Sequence, residues 1–311
     1  MRNKIIPLLL LCVATCPADV LTSTQNFLGL GGQTPNYNDE RTPSNPGVDE
    51  APFSPADSDL GIQEILAPPA KRSPIVFDIR TDILRTDNAP SSNGNAGETS
   101  WISSSRISVA WRQHVVNGWF TDIGVYQDFL RFDNSNATDY ENLTTRLGIY
   151  RFFPGFGDAV FFATYEYQQL TTGTINDGDY NAQRIRAGIQ KTLWAIPGQE
   201  LSTSLNGAYE WTARPETSER NQVGTGLNYR YSFTNRIYSL TSARTSYFNY
   251  DDLGRNDWAY EFGTQLVWQV TPRIQANASV YYNKNDSNSA GGLSDYESWT
   301  GGLGLGFQMT F

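Results

Sequence analysis

The last thirteen residues, Trp299-Thr-Gly-Gly-Leu-Gly-Leu-Gly-Phe-Gln-Met-Thr-Phe311, alternate without a break. On an extended strand Leu303, Leu305, Phe307, Met309 and Phe311 share one face, and Gly302, Gly304, Gly306, Gln308 and Thr310 share the other. A soluble sheet seldom backs a greasy face with glycines, because its second side meets water or another packed layer. A barrel standing in a bilayer calls for this pattern, with apolar side chains outward to lipid and small polar ones inward.

Composition permits that reading. Mean hydropathy is -0.45, and the only long apolar run lies at the amino-terminus, so no transmembrane helix is expected downstream. Barrels escape hydropathy scans because half of each strand is polar. The charge balance, Lys+Arg 23 against Asp+Glu 32 for a net -9, excludes nucleic-acid binding, which requires a basic face.

The chain opens with Met1-Arg-Asn-Lys and a short apolar stretch, the layout of a secretory signal, with cleavage expected after Ala18. Val13-Ala-Thr-Cys16 also resembles a lipoprotein box, in which Cys16 would be lipidated. Both cysteines, Cys12 and Cys16, lie in this segment, so no internal disulfide is expected. Residues 19–73 are rich in Pro, Asn, Ser and acids and cannot bury enough apolar surface to offset their ordering entropy, so disorder is expected. Within them, Asp57-Ser-Asp-Leu-Gly-Ile-Gln-Glu-Ile-Leu-Ala67 reads as a short helix in a tether, or as a plug or docking motif for a periplasmic partner.

From residue 74 to 311, strand patterns recur, with expected spans 74–85, 101–114, 118–131, 142–153, 159–170, 181–194, 200–212, 222–233, 236–249, 257–270, 273–285 and 297–311. Tight turns are expected at Val116-Asn-Gly, Pro154-Gly-Phe-Gly, Pro197-Gly-Gln, Thr234-Asn and Thr271-Pro. Long links are expected at 86–100, 132–141, 171–180, 213–221, 250–256 and 286–296. Strict alternation of short and long links is the habit of an up-and-down transmembrane barrel. The expected class is therefore all-β, an antiparallel barrel of about twelve strands behind a disordered segment.

Tryptophans supply an independent test, since aromatic belts mark both bilayer interfaces. Trp101, Trp211, Trp258 and Trp299 fall at the loop ends of strands, and Trp111, Trp119, Trp194 and Trp268 near the turn ends. Trp101 and Trp111 share parity, as do Trp258 and Trp268; ten residues at ~3.3 Å rise and about 40° tilt span roughly 25 Å.

The aromatic-ending last strand and these belts resemble those of bacterial outer-membrane β-barrel proteins. The resemblance covers class and architecture. It implies that Phe307, Met309 and Phe311 are read by the barrel-assembly machinery, that outer-membrane lipids surround the barrel, and that both termini are periplasmic.

Parity assigns the lumen. With Ile107, Val109, Leu147 and Ile149 toward lipid, Arg106, Arg112 and Arg146 point inward; the same rule sends Arg80, Arg184, Arg186, Arg230 and Arg244 inward, against Asp78, Asp82, Asp122, Asp128, Glu166, Glu210 and Glu261. The set holds no lysine, which suits bidentate arginine–carboxylate pairing across strands. Two readings stay open, an ionic lattice filling a small barrel and a charged constriction in an open pore; twelve strands enclose more than the eight that side chains can fill.

Catalysis is not expected. His114 is the only histidine, and Ser103, Ser104 and Ser105 lie ~30 Å away along the same strand, beyond the reach a Ser–His pair requires. Asn176-Asp-Gly-Asp-Tyr-Asn and Asn285-Asp-Ser-Asn lack the closing bidentate Glu of a calcium loop, and turn chemistry accounts for them. No cofactor is expected. Among functions open to the resembled class, a passive channel for small or charged solutes leads, followed by an anchoring or interaction barrel with a plugged, charge-paired lumen; an autotransporter passenger would have to fit in residues 19–73.

Overall fold

The computed structural model describes residues 75–311 except 90–97, 117, 134–138, 157–158, 172–179, 215–218, 251–253 and 289–294. The expectations for the leader 1–18, Cys16, the segment 19–73 with its stretch 57–67, and the acidic loop at 176–179 lie outside the described residues.

Twelve strands form: β1 (Ile75–Ala89), β2 (Glu98–Val116), β3 (Trp119–Phe132), β4 (Tyr140–Phe153), β5 (Ala159–Thr171), β6 (Tyr180–Ile196), β7 (Gln199–Arg214), β8 (Asn221–Ser232), β9 (Ile237–Tyr250), β10 (Arg255–Gln269), β11 (Ile274–Ser287) and β12 (Tyr296–Thr310). Each pairs antiparallel with its sequence neighbours, and β12 returns to β1, with Ile79 opposite Phe307 and Asp82 opposite Gly304, to close the sheet. Closure removes the edges that would otherwise present unpaired backbone groups to lipid. The amide of Phe311 donates to the carbonyl of Ile75 (3.0 Å), so the seam is hydrogen-bonded to the last residue. No helix among the described residues is long and apolar enough to cross a membrane.

The strands run further than the side-chain pattern suggests, chiefly at the loop end. Pairing carries β1 past Arg85 through Thr86↔Ser100 to Ala89↔Glu98, because the hydrogen-bonded ladder persists where hydrophobic alternation has stopped. Nor is the alternation of link lengths strict. The link at 251–254, expected to be long, matches the turns at 233–236 and 270–273 in length. There Gly254 adopts a φ of 57°, which glycine takes without steric cost, and Arg255 lies opposite Tyr250 with its guanidinium 4.2 Å from the ring centroid, so the ladder persists to both ends of the link.

Alternate residues of every strand face out, and the outer wall is apolar. Ile83, Ile107, Val109, Ile123, Val125, Leu147, Ile149, Leu205, Val223, Leu303 and Leu305 are all exposed. So large an exposed apolar surface on a closed barrel is stable only against lipid. The tryptophans ring this band on its outer side. Trp101, Trp258 and Trp299 stand at the loop end, with Trp211 stacked on Tyr165 at 5.7 Å, while Trp111, Trp119, Trp194 and Trp268 stand toward the turn end.

Among the described residues the register shifts at four places, at Thr86/Ala89, at His114/Val116 and twice in the β6–β7 pair. Trp211 is the extra residue between Glu210↔Arg184 and Thr212↔Gln183, and Leu193 is extra between Thr192↔Ser202 and Trp194↔Leu201. Each lets the strand resume with its aromatic residue outward.

Facing has a direct energetic consequence. Leu266 is exposed on the outer wall and its neighbour Gln265 is half-buried facing the interior. Leu266→Arg should cost the barrel about 2–4 kcal/mol in a bilayer, as lipid-facing arginines at mid-depth do, whereas Gln265→Arg should be tolerated. Denaturant unfolding of the two variants in the same vesicles checks this; equal destabilisation would invert the facing.

Candidate functional site

The barrel interior has two unlike walls. Across β1–β6 the inward positions carry most of the charge, and the ion pairs follow strand neighbours. Arg106 on β2 grips Asp128 on β3 with two donors (2.5 and 2.9 Å). Asn142 on β4 donates to the same carboxylate (3.1 Å), and Gln168 on β5 donates to Asn142 (2.9 Å), which extends the chain of polar contacts over four strands. Buried polar groups satisfied in this way hold one another in fixed rotamers.

Below this row, Asp122 is fully buried and lies between two cations, Arg112 at 3.5 Å and Arg146 in hydrogen-bond contact. The pair with Arg146 is diagonal. Arg146 stands opposite Gly124, and Asp122 stands opposite Gly148. The rings of Tyr126 and Tyr150 fold back over these glycines, where an added Cβ would collide with them. The Tyr126 hydroxyl meets Arg146, and the two guanidiniums of Arg106 and Arg146 lie 5.6 and 4.9 Å from its ring.

Further round, Arg184 on β6 donates to Glu166 on β5 (2.7 Å), and Arg186 reaches the same carboxylate at 3.9 Å while donating to Asn206 (3.4 Å). Glu166 therefore serves two arginines. Arg80 is bound to Asp82 two residues along β1 (2.9 Å), and Asp82 also accepts from Asn277 on β11 (3.4 Å) across Gly304. A Cβ at Gly304 would occupy the space of that carboxylate.

The opposite wall is built of small and amide side chains. Gly224, Gly226, Gly263, Gly302, Gly304 and Gly306 face in, with Ser242, Ser246, Asn277, Ser279 and Asn283 among them. Its charges are fewer: Arg244 lies 3.5 Å from Glu261, and Arg255 pairs with Asp257 at the loop end. Two members of the expected inward set have other company. Glu210 accepts from the hydroxyl of Tyr180 (3.2 Å), and the guanidinium of Arg230 sits 4.3 Å from the ring centroid of Tyr238.

An apolar collar at the loop end of this interior was not singled out from the sequence. Leu84, Ile102, Leu130, Phe132, Tyr140, Leu170, Tyr180 and Tyr281 are inward-facing, buried and packed as one cluster. The signal was present, because inward parity at the loop end of successive strands falls on these residues.

His114 pairs with Phe120 at the turn end of β2, and Ser103, Ser104 and Ser105 lie in its loop-end half opposite Arg131, Leu130 and Phe129. Among the described residues no group of acids, histidines or cysteines is arranged to hold a metal ion.

No family model matches the sequence, and no curated protein matches it. Its fold is shared with an outer membrane channel from Pseudomonas putida, at a TM-score of 0.53 and 10% identity over 76% of this chain and 96% of that one. The NanC porin aligns at a TM-score of 0.45 and 10% identity over 75% of this chain and 100% of the porin. The outer membrane channel DcaP of Acinetobacter baumannii aligns at 0.42 and 8% identity over 76% and 96% of the two chains. The likeness to the Pseudomonas putida channel, at that identity, is one of fold.

Proposed function

We propose that the chain is a passive outer-membrane channel in which an arginine-rich wall selects among small charged solutes. The observation that carries this reading is the direction of the ion pairs. Arg106–Asp128, Arg112–Asp122, Arg146–Asp122, Arg184–Glu166 and Arg244–Glu261 each join adjacent strands, and Arg80–Asp82 lies within one. Such pairs run along the walls and do not bridge the lumen; Arg244–Glu261 stands among the glycines and serines of β8 to β12, and the others lie on β1 to β6. Twelve strands enclose more than the eight that side chains can fill, which supports an open path.

The turn end with both termini faces the periplasm in this reading, and the longer loops face outward. Phe307, Met309 and Phe311 serve the assembly machinery, and residues 57–67 are available to a periplasmic partner. Ser103, Ser104 and Ser105 lie too far along β2 from His114 to act with it.

Planar-bilayer recording on the refolded barrel tests the channel. Discrete conductance steps are the expected result. Silence from protein shown by heat-modifiable migration to be folded would overturn it in favour of a closed anchoring barrel. One observation favours that second reading, the apolar collar, since hydrophobic constrictions stop ion flow by dewetting.

A further inference from the structure

The outer surface is as asymmetric as the interior. At the turn end, outward or turn positions carry Arg151, Lys191, Arg236 and Arg273, with no outward Asp or Glu side chain among the described residues. At the loop end Asp87, Asp133, Asp286, Asp295 and Glu297 are exposed; Arg131 there pairs with Glu141 (2.6 Å) and Lys284 with Asp286 (2.8 Å), and Arg85, 5.9 Å from the ring centroid of Trp101, lies two residues from the exposed Asp87.

Two of these turn-end cations, Arg151 and Lys191, rest on aromatic faces. Arg151 stands opposite Trp119 in the β3–β4 register, its guanidinium 5.1 Å from that ring centroid and 4.6 Å from that of Phe153. The ammonium of Lys191 lies 4.3 Å from the ring centroid of Phe156. On the other side of the barrel, Arg236 and Trp268 line a shallow recess of about 520 Å³ with Thr234, Asn235 and Ile237. Thr234 accepts the backbone amides of Arg236 and Ile237 (3.2 and 3.0 Å), which fixes the turn beneath that recess.

We propose that this turn-end rim binds anionic phospholipid headgroups, with one site at Arg236 and Trp268 and another at Arg151 against Trp119 and Phe153. An indole at the interface places its ring at headgroup depth, and a guanidinium beside it offers forked donors to a phosphodiester. Each juxtaposed cation gains on the order of 1 kcal/mol from an anionic surface, and a neutral or zwitterionic one supplies no such gain. Charge complementarity also excludes the loop end as the equivalent site, since its exposed acids repel the same headgroups.

The inference rests on the reading of the chain as a membrane barrel with its turn end at a phospholipid leaflet. Native mass spectrometry of the folded barrel in non-ionic detergent, titrated with phosphatidylglycerol or phosphatidylcholine, tests it. Phosphatidylglycerol should bind more tightly, by about fivefold for each arginine engaged. The Arg151→Gln, Arg236→Gln double variant should lose that preference, and Arg236→Lys should keep most of it. The loop-end double variant Arg85→Gln, Arg131→Gln should bind as the parent does. Equal affinity for the two lipids, or an equal loss in the loop-end variant, would overturn the proposal alone. A folded barrel that takes up neither lipid and stays out of vesicles of both would overturn the membrane reading with it.

Discussion

Asp122→Asn should destabilise the barrel by about 3–5 kcal/mol, the cost of removing one partner from a buried ion pair. The carboxylate is fully buried and answers two guanidiniums, Arg112 at 3.5 Å and Arg146 in direct contact. An amide would remove the carboxylate that both cations share beside Tyr126. The rim pair between Lys284 and Asp286 provides the contrast, because its side chains are 40% and 49% exposed. Asp286→Asn should therefore cost no more than about 1 kcal/mol. Urea unfolding followed by tryptophan fluorescence in phospholipid bilayers would read both. Near-equal midpoints for the two variants would show that water reaches Asp122 and that the charged wall is solvated throughout.

Much of this molecule is legible in the sequence because a barrel strand obeys one rule, alternation, at every position. That rule carries the strand number, the facing of Leu266 against Gln265, and the inward direction of Arg106, Arg146 and Arg184. It fails where geometry has a second cause. The bulges at Leu193 and Trp211 shift parity within a strand, and nothing in their local pattern marks them. The link 251–254 looks longer because Asp251, Asp252 and Asn256 are loop-forming residue types, yet the ladder pairs Arg255 with Tyr250 and Asn256 with Asn249 on either side of it. Pairing within the lumen is harder still. Parity shows that Arg146 and Asp122 share a face, but their diagonal contact depends on Gly124 and Gly148 lying opposite each of them, a matter of register between two strands. The collar was within reach of the same rule, since Leu84, Ile102, Leu170 and Tyr180 all have inward parity.

Neutralising Arg184 and Arg186 together to Gln should move the pore toward cations if solutes pass along the charged wall. Both arginines lie at Glu166, at 2.7 and 3.9 Å, so their removal leaves that carboxylate as a local negative charge. A unit charge ~8 Å from a permeating ion, at an effective dielectric of about 40, changes that ion's energy by ~1 kcal/mol. The change has opposite sign for cation and anion, and confinement in a narrow lumen limits screening. Loss of two such charges should therefore shift the cation-to-anion permeability ratio by about tenfold or more. The reversal potential in a potassium chloride gradient measures it. Stability must be followed in the same variant, because Glu166 is buried and would stand without its partners. A shifted reversal potential from a folded barrel supports passage along this wall. An unshifted one, from a variant that still conducts, would show that ions do not pass along this wall.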